Sequence, residues 1–106
     1  MAHLIEIRDM YKIYAAGAEP VLYATWAYQK GGKELAAFGM DYDEMFRKMY
    51  DAYHEAAALN RARIADVGKA FYELAGSRDL YHPDGSHPNE AGSRLAAEII
   101  AGALRE

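Results

Sequence analysis

Apolar positions recur along this chain with two different periods, and those periods divide it into elements. From Leu4 to Ala16, the residues Leu4, Ile7, Tyr11 and Tyr14 fall at helical spacing, leaving Glu6, Arg8, Asp9 and Lys12 for a wetter face. Gly17 and Pro20 end that pattern. Val21 to Trp26 is short, uncharged, aromatic and β-branched, which predicts a strand buried on both faces. Residues 27–39 contain Gly31, Gly32 and Gly39 without a sustained period and are expected to form a loop. Tyr42, Met45, Phe46, Met49, Tyr53, Ala56 and Leu59 then repeat at three- and four-residue steps. They predict a long helix over 41–60, with Asp41 at its N-cap and Asp43 in its first turn. Residues 63–67 are expected to form a second strand, 68–75 a brief helix and 76–87 a turn-rich loop. The spacing predicts a closing helix over 88–104, with Pro88 as its first residue and Glu90 in its first turn.

A strand, a long helix and a second strand in that order make a parallel crossover unit, so the expected class is α/β. Two short parallel strands alone are a poor sheet, because each leaves one backbone edge unpaired. Either further strands come from elsewhere, or the chain forms a homo-oligomer through an open sheet edge.

Length and charge narrow the picture further. At 106 residues the chain has room for one small domain, expected to be a single α/β unit over 1–106. A net charge of −4 argues against a nucleic-acid partner, and Lys30, Lys33, Arg47 and Lys48 are too dispersed to form a basic patch. No apolar run approaches the length of a membrane span, so no membrane partner is expected. The first twelve residues are too charged for a signal peptide. The absence of cysteine excludes a disulfide scaffold, a thiolate metal site and a cysteine nucleophile. No cofactor is expected.

The chemistry concentrates in Tyr81-His82-Pro83-Asp84-Gly85-Ser86-His87-Pro88-Asn89-Glu90. Asp84 and His87 stand three apart in a glycine-containing turn that feeds a helix. Such a turn can bring a carboxylate onto one imidazole nitrogen, usually Nδ1, while the other nitrogen faces a cleft. This is the supporting half of a Ser-His-Asp triad. The plainer reading is that Asp84 caps the turn and His87 simply precedes the helix. A third reading, a metal cluster of His82, Asp84 and His87, is weaker, because metal sites recruit further ligands and no second histidine pair accompanies these.

The string DGSHPNEAGSRLAAEII resembles the closing sequence block of the SGNH (GDSL-like) hydrolases, in which an Asp and a His three apart precede Pro and a final helix. Residues 20–27 are similar to a late strand of such esterases, and residues 63–71 to their last strand and the short helix after it. The resemblance covers essentially the whole chain, but only the carboxyl-terminal half of the family's domain. It implies a partial flavodoxin-like three-layer α/β fold, two parallel strands with flanking helices, as an incomplete domain. It also implies that His87 is the general base that would deprotonate a serine, with Asp84 orienting it, and that the partner molecule is a small ester, possibly a carbohydrate O-acetyl group. The family's nucleophilic serine lies in an early G-D-S block, and its oxyanion donors include a Gly and a later Asn. Those blocks do not occur here. The serines are Ser77, Ser86 and Ser93, and none sits where a strand turns into a helix. The chain therefore holds two of three triad members and is expected to be inactive alone. The alternative is a non-catalytic, self-associating remnant of the hydrolase fold.

Trp26 ends its strand at the edge where open α/β sheets place ligands. With Thr25, Tyr28 and Gln29 it either lines an acyl or sugar pocket beside His87 or packs beneath the following loop. Met40, Met45 and Met49 match the buried stripe of their helix and are read as core. His3 and His54 are read as solvated.

Overall fold

The computed structural model describes residues 16–105. His3 and nearly all of the first expected helix lie outside the described residues. Val21–Ala24 forms β1 and Arg63–Asp66 forms β2. They pair in parallel, Val21 opposite Arg63, Leu22 opposite Ile64, Tyr23 opposite Ala65 and Ala24 opposite Asp66. Between them run α1 (Lys33–Phe38) and α2 (Tyr42–Asn60). α3 (Val67–Leu74) follows β2 with no intervening residue, and α4 (Glu90–Arg105) closes the described chain. α2 and α4 each pack on both strands, and α3 packs against both helices. The expected α/β crossover is therefore the observed one, and among the described residues the sheet has two strands.

Local chemistry accounts for most element ends. The Asp41 carboxylate accepts from the Glu44 backbone N–H at 2.7 Å, satisfying a donor that the first turn of α2 would otherwise leave open. α4 begins at Glu90, two residues later than Pro88 suggested. Pro88 is held in an antiparallel bridge to Tyr81, and the Asn89 side chain accepts from Gly92 N–H at 2.8 Å, which makes Asn89 the cap. β1 stops at Ala24 rather than Trp26, because its partner ends at Asp66 where α3 takes over.

One element was not anticipated. α1 lies inside the stretch expected to be a loop, bracketed by Gly32 and by Gly39. Six residues cannot display a repeating apolar stripe, and α1 buries only Leu35. Its place is set by tertiary contact of Leu35 with Ala27, Tyr42 and Met45.

Two apolar clusters hold these pieces. Val67, Phe71 and Leu80 are fully buried and pack with Tyr81 and Ala96, bringing α3, α4 and the chain before the turn together. Tyr42, Met45, Leu35 and Ala27 form the second cluster beneath α1 and α2. Gly92 lets α4 approach closely: a Cβ there would stand 2.2 Å from the Leu80 carbonyl oxygen and 3.0 Å from Phe71.

In a helix interior, Gly→Ala ordinarily stabilises by about 1 kcal/mol. At Gly92 the sign is expected to reverse, with a loss of roughly 2–3 kcal/mol from overpacking against backbone. Denaturant unfolding of Gly92→Ala measures this, and a midpoint equal to or above the parent's contradicts the packing described.

Candidate active site

The Asp84–His87 turn is built by its own backbone and one carboxylate. His82 N–H donates to the His87 carbonyl at 2.8 Å, and Gly85 N–H donates to the His82 carbonyl at 2.9 Å. Gly85 takes φ +73°, a left-handed conformation that a side chain would strain. Inside this frame Asp84 Oδ1 accepts from the backbone N–H groups of both Ser86 and His87, each at 2.9 Å. The second oxygen, Oδ2, lies 2.6 Å from His87 Nδ1. An ionised carboxylate only accepts, so Nδ1 carries the proton and donates it to Asp84. In the neutral ring Nε2 is then an unprotonated acceptor on the opposite side of the imidazole. Asp84 and His87, the two candidate catalytic residues named from the sequence, are thus in direct contact.

The turn is fastened to the end of β1. The Trp26 indole N–H donates to the Ser86 carbonyl at 2.8 Å, and Gln29 N–H donates to the Gly85 carbonyl at 2.8 Å. The Trp26 ring stacks on Phe71 with centroids 4.6 Å apart, which ties the turn to the core. Tyr81, just before the turn, donates its hydroxyl to the Ala27 carbonyl at 2.6 Å. Burial, with Tyr42 adding to it, raises the Tyr81 pKa, so the phenol stays neutral and keeps donating.

Asp84 is shifted the opposite way. The two backbone N–H groups of His87 and Ser86, and then the His87 side chain, hold its carboxyl well below the ordinary aspartate value. The charge that fixes the imidazole is therefore present throughout the neutral pH range.

Beside His87 lies a cavity of about 490 Å³. Thr25, Trp26 and Tyr28 line it from the end of β1, Met45, Lys48 and Met49 from α2, and Ser86 and His87 from the turn; Phe38 and Met40 complete the wall. Trp26 thus combines both roles considered for it, packing on Phe71 and facing the cavity. Gln29 stands elsewhere, against Gly85 and Gly32, and does not line this cavity. The three methionines, read as core, divide their surface: Met45 is buried, and all three also form cavity wall. Lys48 and Phe38 carried no sequence signal of this role beyond their places beside the methionine stripe.

The remaining candidates are placed as follows. Ser77 bonds the Leu74 carbonyl at the end of α3, and Ser93 is exposed on α4. Ser86 adjoins His87, but among the described residues no serine hydroxyl hydrogen-bonds the imidazole; Ser86 meets Asp84 and Trp26 through its backbone. His82 Nδ1 accepts from Asp84 N–H at 3.2 Å, and no group of three potential ligands is placed to hold a metal ion among the described residues. His54 differs from its solvated reading. Its Nε2 lies 2.7 Å from Asp66 Oδ2 and its ring packs on Tyr50. That pair joins α2 to the end of β2, a tertiary contact with no local signature.

No family model matches the chain, and no curated protein does. Among solved structures, a protein described as a putative SGNH hydrolase from Slackia heliotrinireducens superposes with a TM-score of 0.82 at 45% sequence identity. The match covers 90% of this chain and 51% of that one, so the chain spans about half the length of the structure it resembles. The described fold is thus part of a flavodoxin-like α/β domain, consistent with the carboxyl-terminal half of an SGNH-like fold.

Because the folded carboxyl of Asp84 titrates below its ordinary value of 3.8, its contribution to the fold is fully present above that value. It is lost only as pH falls through the lower native value. Carbon-13 titration of the Asp84 carboxyl is expected to show a midpoint clearly under 3.8, moving with loss of the His87 amide shift. A midpoint at or above 3.8 contradicts the two backbone bonds.

Proposed function

We propose that this chain, whose fold is half that of an SGNH hydrolase, supplies the Asp–His part of a Ser-His-Asp triad for ester hydrolysis. The observation that carries the reading is the 2.6 Å contact between Asp84 Oδ2 and His87 Nδ1, on a turn docked at the end of β1 beside a cavity. His87 Nε2 takes the proton of a serine hydroxyl as that oxygen attacks the ester carbonyl, then returns it to the departing alkoxide. Asp84 fixes the tautomer and stabilises the imidazolium between those two transfers. On this reading the nucleophile and the donors for the tetrahedral oxyanion come from outside this chain, which spans about half the length of the structure it resembles.

A second reading, a non-catalytic chain that covers its sheet edge by self-association, has one observation behind it. The two paired strands are four residues each, and Tyr23 on β1 remains 42% exposed. Parallel sheets are ordinarily larger and covered.

The two readings diverge in one experiment. This chain is exchanged for the matched half of the Slackia heliotrinireducens protein, and p-nitrophenyl acetate hydrolysis is followed for the chimera and its His87→Ala variant. The triad reading expects a drop of about 10³-fold or more in the variant, the scale on which triad members act. It expects no His87-dependent rate from this chain alone. Equal rates in chimera and variant reject the triad role and leave the second reading standing.

A further inference from the structure

We propose that His82 is a positioning residue for the Asp84–His87 pair, holding the turn through an acceptor that a proton removes. The inference rests on the triad reading, since it concerns how that pair is kept in place. His82, Pro83, Asp84 and Gly85 form a four-residue turn, closed by Gly85 N–H donating to the His82 carbonyl at 2.9 Å. Pro83 suits the second position of such a turn and has no N–H of its own. The closing bond leaves the Asp84 N–H, at the third position, without a partner. An Asn, Asp or Ser at the first position ordinarily accepts from that N–H. Here an imidazole stands in their place: His82 Nδ1 accepts from Asp84 N–H at 3.2 Å. His82 N–H also donates to the His87 carbonyl at 2.8 Å. One residue thus grips both the base and the acid that orients it.

What histidine adds to ordinary turn chemistry is an acceptor that can be switched off. Nδ1 accepts only while it carries no proton. Once protonated it is a donor facing the Asp84 N–H, and the acceptor within reach is Asp84 Oδ1, 3.4 Å away. That oxygen already receives the N–H groups of Ser86 and His87, so the cationic ring competes with the bonds that close the turn. Protonation of His82 therefore frees the Asp84 amide and draws the carboxylate from His87 Nδ1. The ring is exposed, so solvent protons reach it directly. The other charged groups around this carboxylate are His87 itself and Lys30, Lys33 and Glu34, which border a recess shared with Asp84. Asp79 and Glu90, on either side of the turn, are engaged by Tyr81 N–H and by Arg94. Among the described residues, Asp84 is the carboxylate within ion-pair reach of His82.

The turn can be read with and without turnover. In the chain alone, the Asp84 amide resonance is followed against pH beside the ring carbons of His82 and His87. It is expected to move with the His82 titration and to lose that transition in His82→Asn, whose side-chain oxygen accepts in place of Nδ1 at any pH. The ratio of the Nδ1–H to the Nε2–H form of His87 is expected to fall about two- to tenfold in His82→Ala, the scale of one neutral hydrogen bond. His82→Asn is expected to restore it. In the chimera, kcat for p-nitrophenyl acetate is expected to fall by a similar factor in His82→Ala at unchanged KM, and to recover in His82→Asn. An Asp84 amide that ignores the His82 titration, or keeps its transition in His82→Asn, overturns the proposal. So does an unchanged His87 ratio in His82→Ala, or a loss that His82→Asn does not recover. The amide titration is read in the parent, so it decides even if His82→Ala does not fold. A chimera indifferent to His87→Ala sinks the triad reading, whereas the amide and tautomer signals decide separately whether His82 holds the pair.

Discussion

The carboxylate of Asp84 organises the site with both of its oxygens. One oxygen gathers the backbone N–H groups of Ser86 and His87 and so closes the turn; the other receives the His87 Nδ1 proton. Folding of the turn and presentation of the imidazole are therefore one event. Asp84 is also placed in a charge state that does not vary near neutrality, because the same backbone donors that shape the turn favour its ionised form. With His87 itself largely exposed, at 77%, burial contributes little to holding the ring. The orientation depends on this single acceptor and on the rigidity of the turn around it.

That rigidity is borrowed from the core. Trp26 links the turn to Phe71, which is fully buried between α3 and α4, and Tyr81 links the approach to the turn with Ala27 at the end of β1. Two short strands could not position a site by themselves. What they do is fix where β1 ends, and the helices packed on them fix where the turn lands. The same arrangement shapes the cavity, since the residues after β1 form one wall, α2 a second and the turn a third.

Much of this was legible in the sequence, for reasons that differ by element. α2 showed itself through nineteen residues of helical period and an N-cap aspartate. The two strands and α3 followed from short apolar runs between breakers, and the parallel pairing from the crossover order. The contact of Asp84 with His87 was legible because it is local: three residues and one glycine suffice to make it. α1 was hidden, because six residues carry too little period, and the start of α4 was misplaced, because Pro88 pairs with Tyr81 rather than opening a helix. His54 with Asp66, and Lys48 with Phe38 in the cavity wall, depend on how distant elements pack, and no spacing announces that. Gln29, expected in the pocket wall, instead meets the turn through its backbone N–H, which donates to the Gly85 carbonyl.

The central claim is that Asp84 fixes the proton on His87 Nδ1 and leaves Nε2 as the base. Long-range nitrogen–proton correlation of the imidazole ring, recorded at a pH where His87 is neutral, reads the tautomer directly. The account predicts the Nδ1–H form in the parent chain and a shift toward Nε2–H in Asp84→Asn, the form ordinarily favoured by an unconstrained histidine. A parent chain already in the Nε2–H form, unchanged by Asp84→Asn, would contradict it.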